Sequence, residues 1–308
     1  MDLQVFESQE LEPVLRALRR VALADDRFTD AERALIEGVA AIHDVELEAD
    51  ALEPITLAEL SRVLVDPHRR KRAVQLAIVT ALVEGAPTPA GERAVNELAQ
   101  ALAVDEEGLK VLSEIAHGHA LMARLDTFRR FTRVMRSAPD FPGFLKFALP
   151  VLGLGGENFE LASTFRALES CAPGTFGRAL YDHFIENGFK FPGELGGLPL
   201  AFHDVGHVLS GYGTDPQGEI QQAAFQAGFW RQDGFTFLLF GILQFHLGLR
   251  ITPVAQGYRG LFDVSLVLEA LRRGAACNVD LSSGFDVFLH KDRSLGAVRA
   301  SLGIPPLR

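Results

Sequence analysis

The sequence predicts an all-α chain built from two helical domains. Apolar residues recur at helical spacing from the start, as in Leu11, Leu15, Leu18 and Ala22. Helix-start signatures follow at Thr29, Thr56 and Thr88. The composition also changes abruptly near residue 120. Residues 1–124 hold 23 Asp/Glu against 13 Lys/Arg, and the remainder holds 17 of each. Phe6 and Phe28 are the only phenylalanines of the first part, out of 23 in the chain, and five of the 29 glycines fall there. These shifts place the boundary between domains 1–122 and 123–308.

The first domain reads as an acidic helical bundle. Thr29-Asp30-Ala31-Glu32 and Thr56-Leu57-Ala58-Glu59 are capping boxes. Thr88-Pro89 places proline at a first helical position. The nearly unbroken apolar stretch Ala73–Leu82 predicts a central buried helix. Residues 22–45 overlay residues 81–104 with a one-residue insertion, as helix end, acidic turn, threonine cap and new helix. This repeat resembles the TerB-like domain of tellurite-resistance proteins over roughly residues 10–120. The resemblance implies a link between the acidic turn and metal binding, with Asp25, Asp26, Asp30 and Glu32 as candidate oxygen ligands. The alternative for those four acids is a solvated turn that caps a helix N-terminus.

A basic amphipathic helix is expected across the junction. Phe128, Phe131, Val134 and Met135 share a stripe between Leu125 and Ser137, flanked by Arg129, Arg130, Arg133 and Arg136. Such a helix suits an anionic membrane surface, or packs on its own domain with its arginines in water. Pro142, Gly143 and Pro150 then break the pattern. The glycine-rich stretch 151–156 lacks the Gly-Lys-Ser/Thr ending of a phosphate loop.

The chemistry concentrates around residues 198–219. Residues 198–209 read as a helix, and His203 and His207 lie four apart on one face of it, a spacing that suits two ligands to one metal. Asp215 is the expected N-cap of the next helix and Pro216 its first residue, which puts Glu219 in the first turn. An antiparallel return brings the Glu219 carboxylate back to the histidines. Asp204 points roughly 100° from His203 and 60° from His207 on an ideal helix. It is either a fourth ligand or a carboxylate that orients a histidine ring. His203, Asp204, His207 and Glu219 are thus the catalytic and metal-ligating candidates. Two imidazoles and a carboxylate suit zinc first, with iron the alternative.

His203-Asp204-x-x-His207 followed by eleven residues and Glu219 resembles the H-D-x-x-H-x(11)-E motif of the coenzyme Q biosynthesis protein 4 family. Gly211, Thr214-Asp215-Pro216 and Gly218 match its flanks, and the similarity extends over roughly residues 140–305. It implies an all-helical domain with a divalent metal, peripheral membrane association and action on a polyprenylated ring intermediate of ubiquinone synthesis. The implied reaction is an oxidative decarboxylation that replaces a ring carboxyl by hydroxyl. A non-catalytic, prenyl-lipid-binding scaffold of a biosynthetic complex is the competing reading. A stress-linked membrane module, suggested by the first domain, is the third.

Aromatic residues follow the motif. Phe225, Phe229, Trp230, Phe235, Phe237, Phe240 and Phe245 form either a wall for a prenyl tail or a plain aromatic core. Gln244 and His246 interrupt this apolar segment as supporting partners of the site or as satisfied buried groups. The longest apolar run, Phe235–Leu243, is too short to cross a membrane, and the acidic start lacks signal-peptide character, so a cytoplasmic protein is expected. Cys171 and Cys277 alone exclude a disulfide framework or a Cys-rich zinc site. A net charge of −10 with few Lys and Arg excludes general nucleic-acid binding.

Overall fold

A computed structural model describes residues 1–136, 157–197, 201–251 and 256–307. The proline and glycine breaks at 142–150, the stretch 151–156 and the expected helix start at 198–200 lie outside the described residues. The fold is all-α. Fifteen α-helices and no named strand occur among the described residues, with only isolated bridges at Thr175–Ser294 and Leu247–Arg259.

The chain divides into two compact units. One comprises residues 2–129 and 238–272, the other Met1 and residues 130–237 and 273–308. The return of residues 238–272 to the N-terminal unit differs from a single cut at 122/123.

The unit containing the N-terminal helices is built on α1 (Ser8–Ala22), α2 (Asp30–Ile42), α3 (Leu57–Val63), α4 (Pro67–Leu82), α5 (Pro89–Ala101) and α6 (Gly108–Ala116). Both copies of the repeat start their second helix in the same way. Thr29 caps α2 and Thr88 caps α5, each accepting a main-chain N–H three residues on. Glu32 and Glu59 close the two capping boxes. Leu11, Leu15, Leu18 and Ala22 are all buried, as is nearly every residue of Ala73–Leu82. In α4, Arg72 donates to the Gln75 amide oxygen at 2.7 Å, and Gln75 donates to Glu106 at 2.7 Å. This links three buried polar side chains in one hydrogen-bonded chain. Residues 238–272 join the unit where Leu268 of α13 (Val264–Ala275) rests against Gly38 of α2.

The junction helix, α7, runs Ala120–Arg136. Arg129, Arg133 and Arg136 are exposed, whereas Arg130 is buried. Arg130 makes a two-pronged ion pair with Asp233 at 3.0–3.1 Å and donates to Thr236 at 2.7 Å. Its guanidinium thus belongs to the interior of the second unit, which corrects the reading of four solvated arginines. No helix among the described residues is long and apolar enough to cross a membrane.

The second unit contains α8 (Phe159–Arg166), α9 (Phe176–Glu186), α10 (Phe202–Ser210), α11 (Pro216–Phe229), the start of α12 (Phe235–Gly241), α14 (Val287–His290) and α15 (Leu295–Ser301). Helices α9, α10 and α11 pack in sequence. The α10–α11 connection is short because Gly211 turns left-handed at φ 82° as the C-cap of α10. Asp215 caps α11 through the Gln217 and Gly218 amides, with Pro216 at the first position. Two glycines make room at this junction. A Cβ on Gly206 would strike the Gln222 side chain, and one on Gly218 would strike the Gly213 carbonyl. Arg299 donates to the Val208 and Leu209 carbonyls at 2.8 and 2.9 Å, and Arg273 donates to the Ser210 carbonyl at 2.9 Å. The two cations hold the carbonyl end of α10, where the helix dipole favours positive charge.

Gly218→Ala should destabilise the chain by about 1–3 kcal/mol, since the obstacle is backbone. Gly206→Ala should cost less, because a side chain can shift. Equal urea midpoints for wild type and Gly218→Ala would contradict this packing.

Candidate metal centre

Helix α10 carries His203 and His207 on the face turned to α11, and α11 carries Glu219 in its first turn. His203 Nε2 lies 3.2 Å from His207 Nε2 and 3.5 Å from Glu219 Oε2. His207 Nε2 lies 3.6 Å from Glu219 Oε1. Ligand atoms about 2.0–2.1 Å from a tetrahedral zinc stand roughly 3.3–3.4 Å apart. One carboxylate oxygen thus faces each imidazole, and one ligand atom from each of the three residues lies within 4.8 Å of the others, close enough to converge on one ion.

The other ring nitrogens are committed. His207 Nδ1 donates to the Tyr212 carbonyl at 3.0 Å, and His203 Nδ1 donates to the Gln226 amide oxygen at 3.2 Å. Both imidazoles therefore aim Nε2 at the centre, the arrangement that metal-binding histidines adopt. Their surroundings differ. The His207 side chain is 1% exposed, that of Glu219 23% and that of His203 36%, so the centre opens on the His203 side.

Without a cation the three groups share a proton. Burial pulls His203 down, but the hydrogen bond and negative charge of Glu219 outweigh it and push the imidazole up to about 9. Burial, reinforced by the positive His203, pushes His207 down to about 4. Burial would raise Glu219, but the hydrogen bond and charge of His203 hold it below the usual carboxylate range.

Asp204 is not among the converging groups. It is buried, and its Oδ1 lies 3.2 Å from His183 Nε2 on α9. The His183 ring stacks on His207 with centroids 5.6 Å apart. Asp204 thus takes its place behind the ligands, at a histidine twenty positions before His203. No helical spacing marks His183. Gln222 and Gln226 carried a partial signal, because of the four glutamines of α11 they are the two that follow Glu219 at i+3 and i+7, on its face.

The remaining candidates lie elsewhere. The only group of three or more potential ligands found among the described residues is His203, His207 and Glu219. Asp30 pairs with Arg33 at 2.9 Å, Asp25 accepts from the Arg27 amide, and Glu32 closes the α2 capping box. Asp26 occupies a left-handed turn position at φ 62°. The acidic turn is thus a capping device rather than a converging oxygen site. Phe225, Phe229, Trp230 and Phe237 are each less than 5% exposed. Their rings pack on one another and on Phe202, Tyr212 and Phe131. They form core rather than a groove wall, and Phe240 is half-buried. Gln244 and His246 belong to the unit of the N-terminal helices. His246 Nδ1 accepts from the Phe262 amide at 3.2 Å, so it is a buried hydrogen-bonded group and not a supporting partner of the centre.

No protein-family model and no curated protein matches this chain. The chemistry of the site therefore rests on its own side chains.

Proton-detected NMR of the metal-free protein should show one imidazole, His203, titrating near pH 9, with His207 neutral down to about pH 4. Two imidazoles titrating together near 6.5 would contradict the shared proton.

Proposed function

We propose that this chain is a divalent-metal protein of prenyl-lipid metabolism, with zinc held by His203, His207 and Glu219 and iron the alternative. The observation that supports the metal is the convergence of one ligand atom each from His203, His207 and Glu219 within 4.8 Å, with both Nδ1 atoms turned to acceptors. The substrate class rests on the resemblance of the motif to the coenzyme Q biosynthesis protein 4 family. The proposed substrate is a prenylated quinone precursor, and the proposed reaction replaces its ring carboxyl by hydroxyl with loss of carbon dioxide, dioxygen being the two-electron oxidant and the source of the new oxygen atom.

A cation held there supplies a Lewis acid beside an open position, where a ring carboxylate or phenolate can bind. The protein side chains do the rest. Glu219 offsets part of the metal charge. Tyr212 and Gln226 hold the ring orientations. The Asp204–His183 pair braces the buried face of His207. A second reading, a scaffold with a structural metal, is favoured by the closed packing of Phe225, Phe229, Trp230 and Phe237.

Elemental analysis of the purified protein should find about one zinc or iron per chain, and Glu219→Ala should lose it. A full complement of metal in Glu219→Ala would overturn the assignment. Because the proton on His203 must leave, zinc should bind more weakly as the pH falls from about 9 to 7. Turnover separates the readings, since metal and co-purified prenyl lipid without turnover leave the scaffold.

Peripheral attachment to anionic membranes through α7 belongs to the same proposal. Arg129→Ala/Arg133→Ala should float less well with phosphatidylserine vesicles, and unchanged flotation would remove α7 from the contact.

A further inference from the structure

The two imidazoles of the centre are anchored by different means. His207 is enclosed, and its Nδ1 meets a main-chain carbonyl that no side-chain substitution removes. His203 stands at the open edge, with its side chain 36% exposed, and its Nδ1 meets an amide oxygen of Gln226 at 3.2 Å. Gln226 is itself 3% exposed. An amide oxygen only accepts, so the hydrogen of a neutral His203 sits on Nδ1 and the Nε2 lone pair faces His207 and Glu219.

The same helix face secures the histidine twice. Gln222 donates from Nε2 to the main-chain carbonyl of His203 at 3.4 Å, and Ser210 donates to Gln222 Oε1 at 3.0 Å. Glu219, Gln222 and Gln226 follow one another along α11 at i, i+3 and i+7. One stripe of α11 therefore supplies a ligand oxygen, a hold on the backbone of His203 and a hold on its ring.

We propose that Gln226 is the positioning residue for His203, setting its ring orientation and tautomer and thereby the affinity and release rate of the metal ion. The inference rests on the reading of His203, His207 and Glu219 as a metal centre. Without the acceptor, the partly buried ring loses the partner that fixes Nδ1, and its hydrogen can occupy Nε2, where it blocks the lone pair.

Zinc alone, added to the full-length chain in competition with a chromophoric chelator, tests this. Gln226→Met keeps the length of the side chain and removes the acceptor, and it should weaken zinc about 10–100-fold and speed its release. Gln226→Glu keeps an acceptor and should bind zinc at least as tightly as wild type. The cobalt-loaded Met variant should show an altered ligand-field spectrum, which a change in folding stability alone would not produce. Gln226→Asn withdraws the acceptor by one methylene and should weaken zinc in the same direction, so it carries the test if the Met variant does not fold. Wild-type affinity and cobalt spectrum in Gln226→Met, or equal weakening in Gln226→Glu, would overturn the proposal. A wild-type protein that takes up no zinc would overturn the metal centre itself, a distinguishable failure.

Discussion

The close approach of α10 and α11 is the constraint on which the site depends. Gly206 lies one turn along from His203 and one position before His207, against the Gln222 side chain. Gly218 sits against the Gly213 carbonyl, one position before Glu219. The missing Cβ atoms let Gln222 lie against α10 at Gly206 and let the start of α11 fold onto the connecting loop at Gly218. The carboxylate then comes within 3.6 Å of both imidazoles. Ligand geometry of this kind is a property of backbone packing before it is a property of the ligands.

Several polar groups buried among the described residues are met by partners. Arg130 meets Asp233 and Thr236, Gln75 bridges Arg72 and Glu106, and Gln226 meets His203. Each arrangement follows the cost of leaving a donor or acceptor dry. The same economy explains the acidic turn. Asp25, Asp30 and Glu32 bind nearby amides or an arginine.

Much of this was legible in local sequence, because caps and helical spacing act over a few residues. Thr29, Thr56 and Thr88 begin their helices, and Asp215-Pro216 starts α11 and so places Glu219. The antiparallel return was readable from one short turn. What depends on distant chain was not. Asp204 finds His183 on another helix, and Arg130 leaves the apparent basic stripe for Asp233, 103 positions away. The aromatic run after α11 does not show whether it lines a groove or fills a core. Only the mutual packing of Trp230 with Phe202 and Phe237 shows that it fills one. The return of residues 238–272 to the N-terminal unit is likewise a long-range choice that composition, counted along the chain, does not register.

The arginines at the carbonyl end of α10 have a consequence for the order of assembly. Arg273 and Arg299 reach Ser210, Leu209 and Val208 from 63 to 91 positions further along the chain. During synthesis the histidine pair leaves the ribosome well before either clamp exists. At about 5–20 residues per second, several seconds separate the two events. A nascent α10 therefore presents its imidazoles on a helix whose end is still loose. The final setting of the His203 and His207 positions is a late step, completed when the last helix closes the far end of α10.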